Sequence, residues 1–205
     1  MPNPPHDFSD KEIIKNTYLS NEEEAMDENK KSGERVVIFI DGSNLYHSMR
    51  AIHVEKIDYQ KLVDVLRKGR MLISIFYYNA PLDISVDKKK YWEQQRFFDI
   101  LKRLPGFNVI LCRRKKFKKA DGSFGFEVKG DDVHLAIDLV SGAYENLYDA
   151  AIIVSGDEDF VPAIQKVKKL GKKVENAYFI RSSSTTLKKT SDASICINEI
   201  LKEIV

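Results

Sequence analysis

Uninterrupted apolar runs recur along this chain. "RVVIFI" (35–40), "MLISIFYYN" (71–79), "FNVILC" (107–112), "AAIIVS" (150–155) and "KVENAYFI" (173–180) are short and rich in β-branched and aromatic residues, which predicts strands. The segments between them change period. In "DYQKLVDVLRKG", Tyr59, Leu62, Val63 and Leu66 fall at helical spacing behind an Asp58 cap. "KKKYWEQQRFFDILKRL" predicts a helix burying Trp92, Phe97, Ile100, Leu101 and Leu104, stopped by "PG". "DDVHLAIDLVSGAYE" reads as a further helix, and "DFVPAIQKVKKLG" as another with Phe160, Val161, Ile164 and Val167 on its apolar stripe. "CRRKKFKKADGSFGFEVKG" reads as a polar loop or hairpin, and a Ser/Thr-rich turn precedes a poorly patterned end. No internal repeat is visible.

Strands that are apolar throughout are buried on both faces, and their alternation with helices predicts a three-layer α/β/α sandwich around a mostly parallel sheet. In such sheets ligands bind beyond the carboxyl ends of the strands. Polar residues placed just after a strand are therefore the ones to examine.

Composition narrows this picture. The chain has 205 residues, 43% hydrophobic and 31% charged, which suits one soluble domain with a sizeable core plus an appendage. Two cysteines, Cys112 and Cys196, supply neither a disulfide framework nor a cysteine zinc site, and read as reduced thiols. No apolar run approaches a membrane span, and "MPNPPHDFSD" lacks the regions of a signal peptide, so the expected location is the cytoplasm, with no membrane partner. Residues 1–34 carry four Lys and nine acids, a net of −5, and are expected to form a largely disordered extension with at most a short helix over 12–19. Residues 35–205 carry 29 basic and 22 acidic residues, a net of +7, and form the folded body. A basic body suits a polyanionic partner, and the acidic extension could screen it.

Acids follow the strands directly. "VVIFIDGSN" sets Asp41 after the first, with Gly42 expected to make a tight turn before Ser43 and Asn44. "AIIVSGDED" sets Ser155, Asp157, Glu158 and Asp159 after a later one. An N-cap explains one acid, whereas three in adjacent positions repel one another unless a cation or solvent intervenes. Asp131 and Asp132 open a helix that also carries Asp138. Asp132 and Asp138 lie about 120° apart on it while Asp131 and Asp138 share a face, so periodicity leaves open which is a ligand. Oxygen donors without Cys or clustered His suit Mg²⁺ or Mn²⁺.

These segments carry a resemblance. "VVIFIDGSNLY" and "KGDDVHLAIDLVSGAYENLYDAAIIVSGDEDFVPAIQKVKKLGKKVENAYF" resemble the NYN domain, in particular its LabA-like (DUF88) branch, within the PIN-like nuclease superfamily. The resemblance spans roughly residues 35–195. It implies a metal-dependent endoribonuclease that leaves a 5′-phosphate and a 3′-hydroxyl. By position, Asp41 and Asn44 match the first motif, Asp132 and Asp138 the middle helix, and Ser155, Asp157 and Asp159 the last. Asp131 departs from the pattern, which usually has an apolar residue there, and Asp192 loosely matches the family's closing motif. On this reading Asp41, Asp132, Asp157 and Asp159 form the metal cage, and Asn44 orients a water or a phosphate oxygen. Ser155 shapes the turn or touches phosphate, Asp138 acts from behind the ligands, and the place of Asp131 stays open. Two ions about 4 Å apart would activate a water and hold the leaving oxygen.

The segment running into Asp131 has two readings. Arg113, Arg114, Lys115, Lys116, Lys118, Lys119 and Lys129 could meet the phosphates of single-stranded RNA while Phe117, Phe124 or Phe126 stacks on bases. Equally, it could be a solvated hairpin turning at "DG". A shallow site would gain from two subunits around one strand, so a homodimer stays among the expected partners. Two rival functions are a non-catalytic RNA-binding or protein-interaction module and a small-ester phosphohydrolase. The second lacks a D-x-D-x-[TV] motif after the first strand, a P-loop and G-x-G-x-x-G.

Overall fold

The computed structural model describes residues 33–118, 121–122 and 124–205; the expectations for residues 1–32 lie outside them. In chain order the elements are β1 (Arg35–Asp41), α1 (Gly42–Ala51), α2 (Tyr59–Arg67), β2 (Met71–Asn79), α3 (Lys88–Leu101) and β3 (Phe107–Leu111). A ribbon of β4 (Arg113–Lys118) and β5 (Phe124–Lys129) follows, then α4 (Asp131–Tyr144) and β6 (Ala150–Val154). The remainder is α5 (Val161–Lys169), β7 (Lys173–Tyr178), α6 (Thr185–Thr190), β8 (Ala193–Cys196) and α7 (Ile197–Ile204).

Six strands form one sheet in the order β3-β2-β1-β6-β7-β8, and every neighbouring pair is parallel. The fold is thus the α/β/α sandwich that the apolar runs predict. Val36, Ile38 and Ile40 of β1 face a core with Leu45, Leu62, Phe98 and Ile197, from α1, α2, α3 and α7. Val37 and Phe39 face the opposite core, with Leu135, Ile164 and Leu187 from α4, α5 and α6. Residues 36–40 are completely buried, which explains why β1 shows no alternation. Truncating Phe39 to Ala would cost about 3–5 kcal/mol, a large part of a typical domain's stability.

The helix α3 keeps part of the expected face, since Leu101 is buried and Phe97 and Leu104 pack against the core, but it turns Trp92 and Ile100 outward. Phe98 and Leu101 are buried, while Trp92 is 49% and Ile100 59% exposed. Gln94 fixes the rotation by accepting the Leu82 N–H at 2.7 Å, and Trp92 lies roughly 160° round the helix from it. Trp92 packs on Tyr91 instead.

At the amino ends of the strands, acids and bases are matched. Arg35 makes a two-point contact with Asp149, at 3.1 and 2.9 Å. Arg70 does the same with Glu175, at 2.6 and 3.0 Å, and also reaches Glu34 at 3.0 Å. Glu34, assigned to the extension by composition, is held further by Lys173 and belongs to the body. Among the described residues no helix is long and apolar enough to cross a membrane.

Candidate active site

The carboxyl edge of the sheet is built without a loop at its centre. Asp41 ends β1 and is itself the N-cap of α1, accepting the Asn44 N–H at 2.9 Å. Gly42 therefore opens the helix rather than making a tight turn. Its lack of a side chain is required by Tyr77 of β2, because a Cβ at Gly42 would stand 2.4 Å from the ring.

Register brings the second acidic turn to the first. Ile40 pairs with Val154, so Asp41 and Ser155 are the next residues on adjacent strands. The Ser155 hydroxyl donates to Asp41 at 3.0 Å and accepts the Asp157 N–H at 3.1 Å. Asn44 closes the brace from the other side, its side-chain oxygen accepting the Gly156 N–H at 3.1 Å. Asp157 then caps the short 3₁₀ turn Glu158–Phe160 by accepting the Asp159 N–H at 3.0 Å. Capping thus accounts for Asp157 alone among the three acids, and Glu158 is occupied by the Ser184 hydroxyl at 3.0 Å.

A third element contributes Asp131 and Asp132, the first two residues of α4. Gly130 holds the N-cap position without a side-chain bond, so neither acid is consumed as a cap. Burial raises the pKa of Asp41, bonds from Asn44 and Ser155 oppose the rise, and the charges of Asp131 and Asp157 add to it. Asp132 is pushed up to about 6 by partial burial and by Asp131, Asp41, Asp157 and Asp159. The Cys112 thiol is pushed up to about 12 by burial and by Asp131, Asp132 and Asp138. Five carboxylates from three elements therefore share one field. Among the described residues, none of the five forms an ion pair with a basic side chain.

The other candidates separate cleanly. Asp138 accepts the Tyr78 hydroxyl at 2.8 Å and is anchored to the sheet. Asp192 lies at the opposite edge, bonded to the Val174 N–H and to Lys168, each at 2.8 Å, and does not meet the cluster. The basic segment is the β4–β5 ribbon, a two-stranded sheet of its own. Lys119 and the side chain of Lys129 lie outside the described residues.

Several supporting residues escaped the sequence reading. The Asn176 side chain donates to the carbonyls of Ile153 and Ser155, at 3.2 and 2.8 Å, and so holds the strand leading into the turn. An Asn in the middle of a buried strand was the available signal. The 180–184 segment closes over Gly156, where a Cβ would stand 1.7 Å from the Ser182 carbonyl oxygen, and the Ser184 N–H donates to the Gly156 carbonyl at 3.1 Å. Nothing local in the sequence marks that contact.

The donor set suits a hard divalent cation, because it is all oxygen, partly buried and without a basic partner among the described residues. It is an open arrangement: among the described residues no group of three or more His, Cys, Asp or Glu side chains converges tightly enough to hold a metal ion. Mg²⁺ commonly binds through one or two carboxylates and keeps several waters, so the residues fit in chemistry without forming a closed cage.

A parallel sheet with acids gathered at its carboxyl edge defines a PIN-like α/β protein. The NYN domain family model matches residues 35–198, and the chain belongs to that family, whose members are generally nucleases that use divalent metals. A solved structure of a Vibrio parahaemolyticus protein of unknown function is 26% identical, with a TM-score of 0.65, over 86% of this chain and 99% of that one. A candidate oxidoreductase from Parabacteroides merdae is 12% identical with a TM-score of 0.32, over 82% of this chain and 32% of that one, too distant to inform the fold. No curated protein matches the chain.

Proposed function

We propose that the protein is a metal-dependent endoribonuclease of the LabA-like branch, acting on single-stranded RNA. The observation that carries this reading is the meeting of Asp41, Asp131, Asp132, Asp157 and Asp159 at one sheet edge, each without a described basic partner. Such a concentration of charge opposes folding unless something positive is to be bound there. Asp41, Asp132, Asp157 and Asp159 would hold Mg²⁺ or Mn²⁺. When bound, the ion supplies an acidified water and relieves charge at the phosphate.

The chain's own residues prepare that place. Asp41 is aimed by two donors, the Asn44 N–H and the Ser155 hydroxyl. Asn44 ties the two acidic turns together through Gly156, which fixes Asp157 relative to Asp41. Ser155 acts through Asp41 and the Asp157 N–H and is a positioning residue. Asp138 steadies α4 against β2 through Tyr78.

The test is cleavage of end-labelled single-stranded RNA with Mn²⁺, Mg²⁺ or EDTA, beside Asp157→Asn purified identically. Metal-dependent cutting that disappears in the variant is the expected result. Equal RNA binding by both proteins with no cutting under any condition would replace this reading with a non-catalytic RNA-binding module.

A further inference from the structure

The β4–β5 ribbon leaves the end of β3 through Cys112 and returns through Gly130 into α4. Its rungs run from Arg113–Lys129 at the root to Lys118–Phe124 at the outer end. The root stands beside the acids, since Asp131, Asp132 and Asp138 all act on Cys112. Six residues per strand extend the ribbon about 20 Å from that point.

The pleat sorts its side chains into two unequal faces. Arg113, Lys115 and Phe117 alternate onto one; Arg114, Lys116 and Lys118 alternate onto the other, where Phe124 is the cross-strand partner of Lys118. Phe117 lies across Gly125, where a Cβ would stand 2.5 Å from the ring, so that aromatic surface is engaged in holding the ribbon together. Phe124 is 57% exposed, with the Lys116 ammonium 4.2 Å from its ring centroid on one side. Arg113, Arg114, Lys115 and Lys118 make no ion pair among the described residues, and the buried Nε of Arg114 has no hydrogen-bond partner. Lys116 and Arg114 also stand near enough to Asp83, in the β2–α3 loop, to lower its pKa, after the larger effect of Ser85.

We propose that the Arg114, Lys116, Lys118 and Phe124 face is a track for an unpaired RNA strand leading toward the acids, with Phe124 stacking on a base and the three cations meeting phosphates. Naming that strand as the substrate rests on the nuclease reading above. Cations on alternate residues form a row at roughly 7 Å intervals, which suits a linear polyanion. The open ring selects unpaired bases, because a base inside a duplex has no free face to offer. Since the track starts at the site and runs outward, its outer residues can act only on strands long enough to reach them.

The test measures binding by fluorescence anisotropy with Mg²⁺, using the full chain carrying Asp157→Asn so that labelled RNA stays intact. Single-stranded RNAs of about 4, 8 and 16 nucleotides span the range of comparable sites. Affinity is expected to rise with length. Phe124→Ala and Lys118→Ala are each expected to weaken the longest RNA about 5- to 10-fold and the shortest less than about 2-fold. Arg114→Ala, at the root of that face, should weaken all lengths alike, and each lost cation should reduce the salt slope by roughly one. Phe124→Tyr, which keeps a ring, should bind like the parent and guards against mere unfolding of the ribbon.

Unchanged length dependence in Phe124→Ala and Lys118→Ala, in a protein whose wild type still cuts RNA, would overturn the track and leave the nuclease reading standing. Duplex RNA bound as tightly as single-stranded RNA, with no effect of Phe124→Ala, would also overturn it. If the wild type neither binds nor cuts RNA of any length, both readings fall together.

Discussion

The two edges of the sheet treat charge in opposite ways. At the amino edge Arg35 faces Asp149, Arg70 faces Glu175 and Glu34, and Lys173 faces Glu34, so each of these acids meets a base. At the carboxyl edge Asp41, Asp131, Asp132, Asp157 and Asp159 meet one another. The same contrast appears in their proton affinities. Lys173 and Arg70 lower the pKa of Glu34, and Arg35 lowers that of Asp149, whereas burial and neighbouring acids raise those of Asp41 and Asp132. One edge pairs its charges and so helps to hold the fold together; the other gathers like charges, which opposes folding.

Breaking that contrast at the acidic edge should have the largest effect. Asp157→Asn should lower metal-dependent RNA cleavage by at least about 100- to 1,000-fold, as loss of a well-placed electrostatic group does, while the melting temperature holds or rises because repulsion is relieved. A fall in both would mean that Asp157 serves the fold. At the amino edge, Arg70→Met leaves two carboxylates facing each other and should cost about 2 kcal/mol in urea unfolding, below the fully buried range because solvent reaches the group.

Ser155→Ala removes a donor from Asp41 and an acceptor from the Asp157 N–H, with an expected cost of about 1 kcal/mol and a drop in metal affinity read by calorimetry. Titration should show the smallest effect, with opposite signs at the two edges. Glu34 and Asp149, with lowered pKa values, contribute stability that is present above their unfolded values and lost as pH falls. Asp132, raised from 3.8 to about 6, contributes stability that is full below 3.8 and lost as pH rises to about 6. After allowance for its solvent exposure, that loss should be on the order of 1 kcal/mol. Metal-free thermal scans should show it in the wild type between pH 4 and 6, and Asp132→Asn should abolish it.

Much of this was legible in the chain itself, for physical reasons. Strands buried on both faces must be apolar at every position, so β1 and β6 announced themselves, and the acids after them marked the edge where they meet. The exposure of Trp92 and Ile100 on α3 was not legible, because its rotation depends on Gln94 meeting a backbone N–H twelve residues away. The role of Gly42 was also hidden, since a ring on a neighbouring strand sets it. Asn176 and the 180–184 segment support the turn from a later part of the chain, through contacts that no local period encodes.

The place where the ribbon joins the body has an evolutionary consequence. Its chain enters at Arg113 and leaves at Lys129, which are partners on one rung, so the two ends stand one strand spacing apart, roughly 5 Å. A segment with neighbouring ends can be lengthened, shortened or exchanged for another without disturbing the sheet that carries the acids. If the ribbon guides RNA as proposed, exchanging it at that single junction would change which strands are held while leaving the acids at the sheet edge in place.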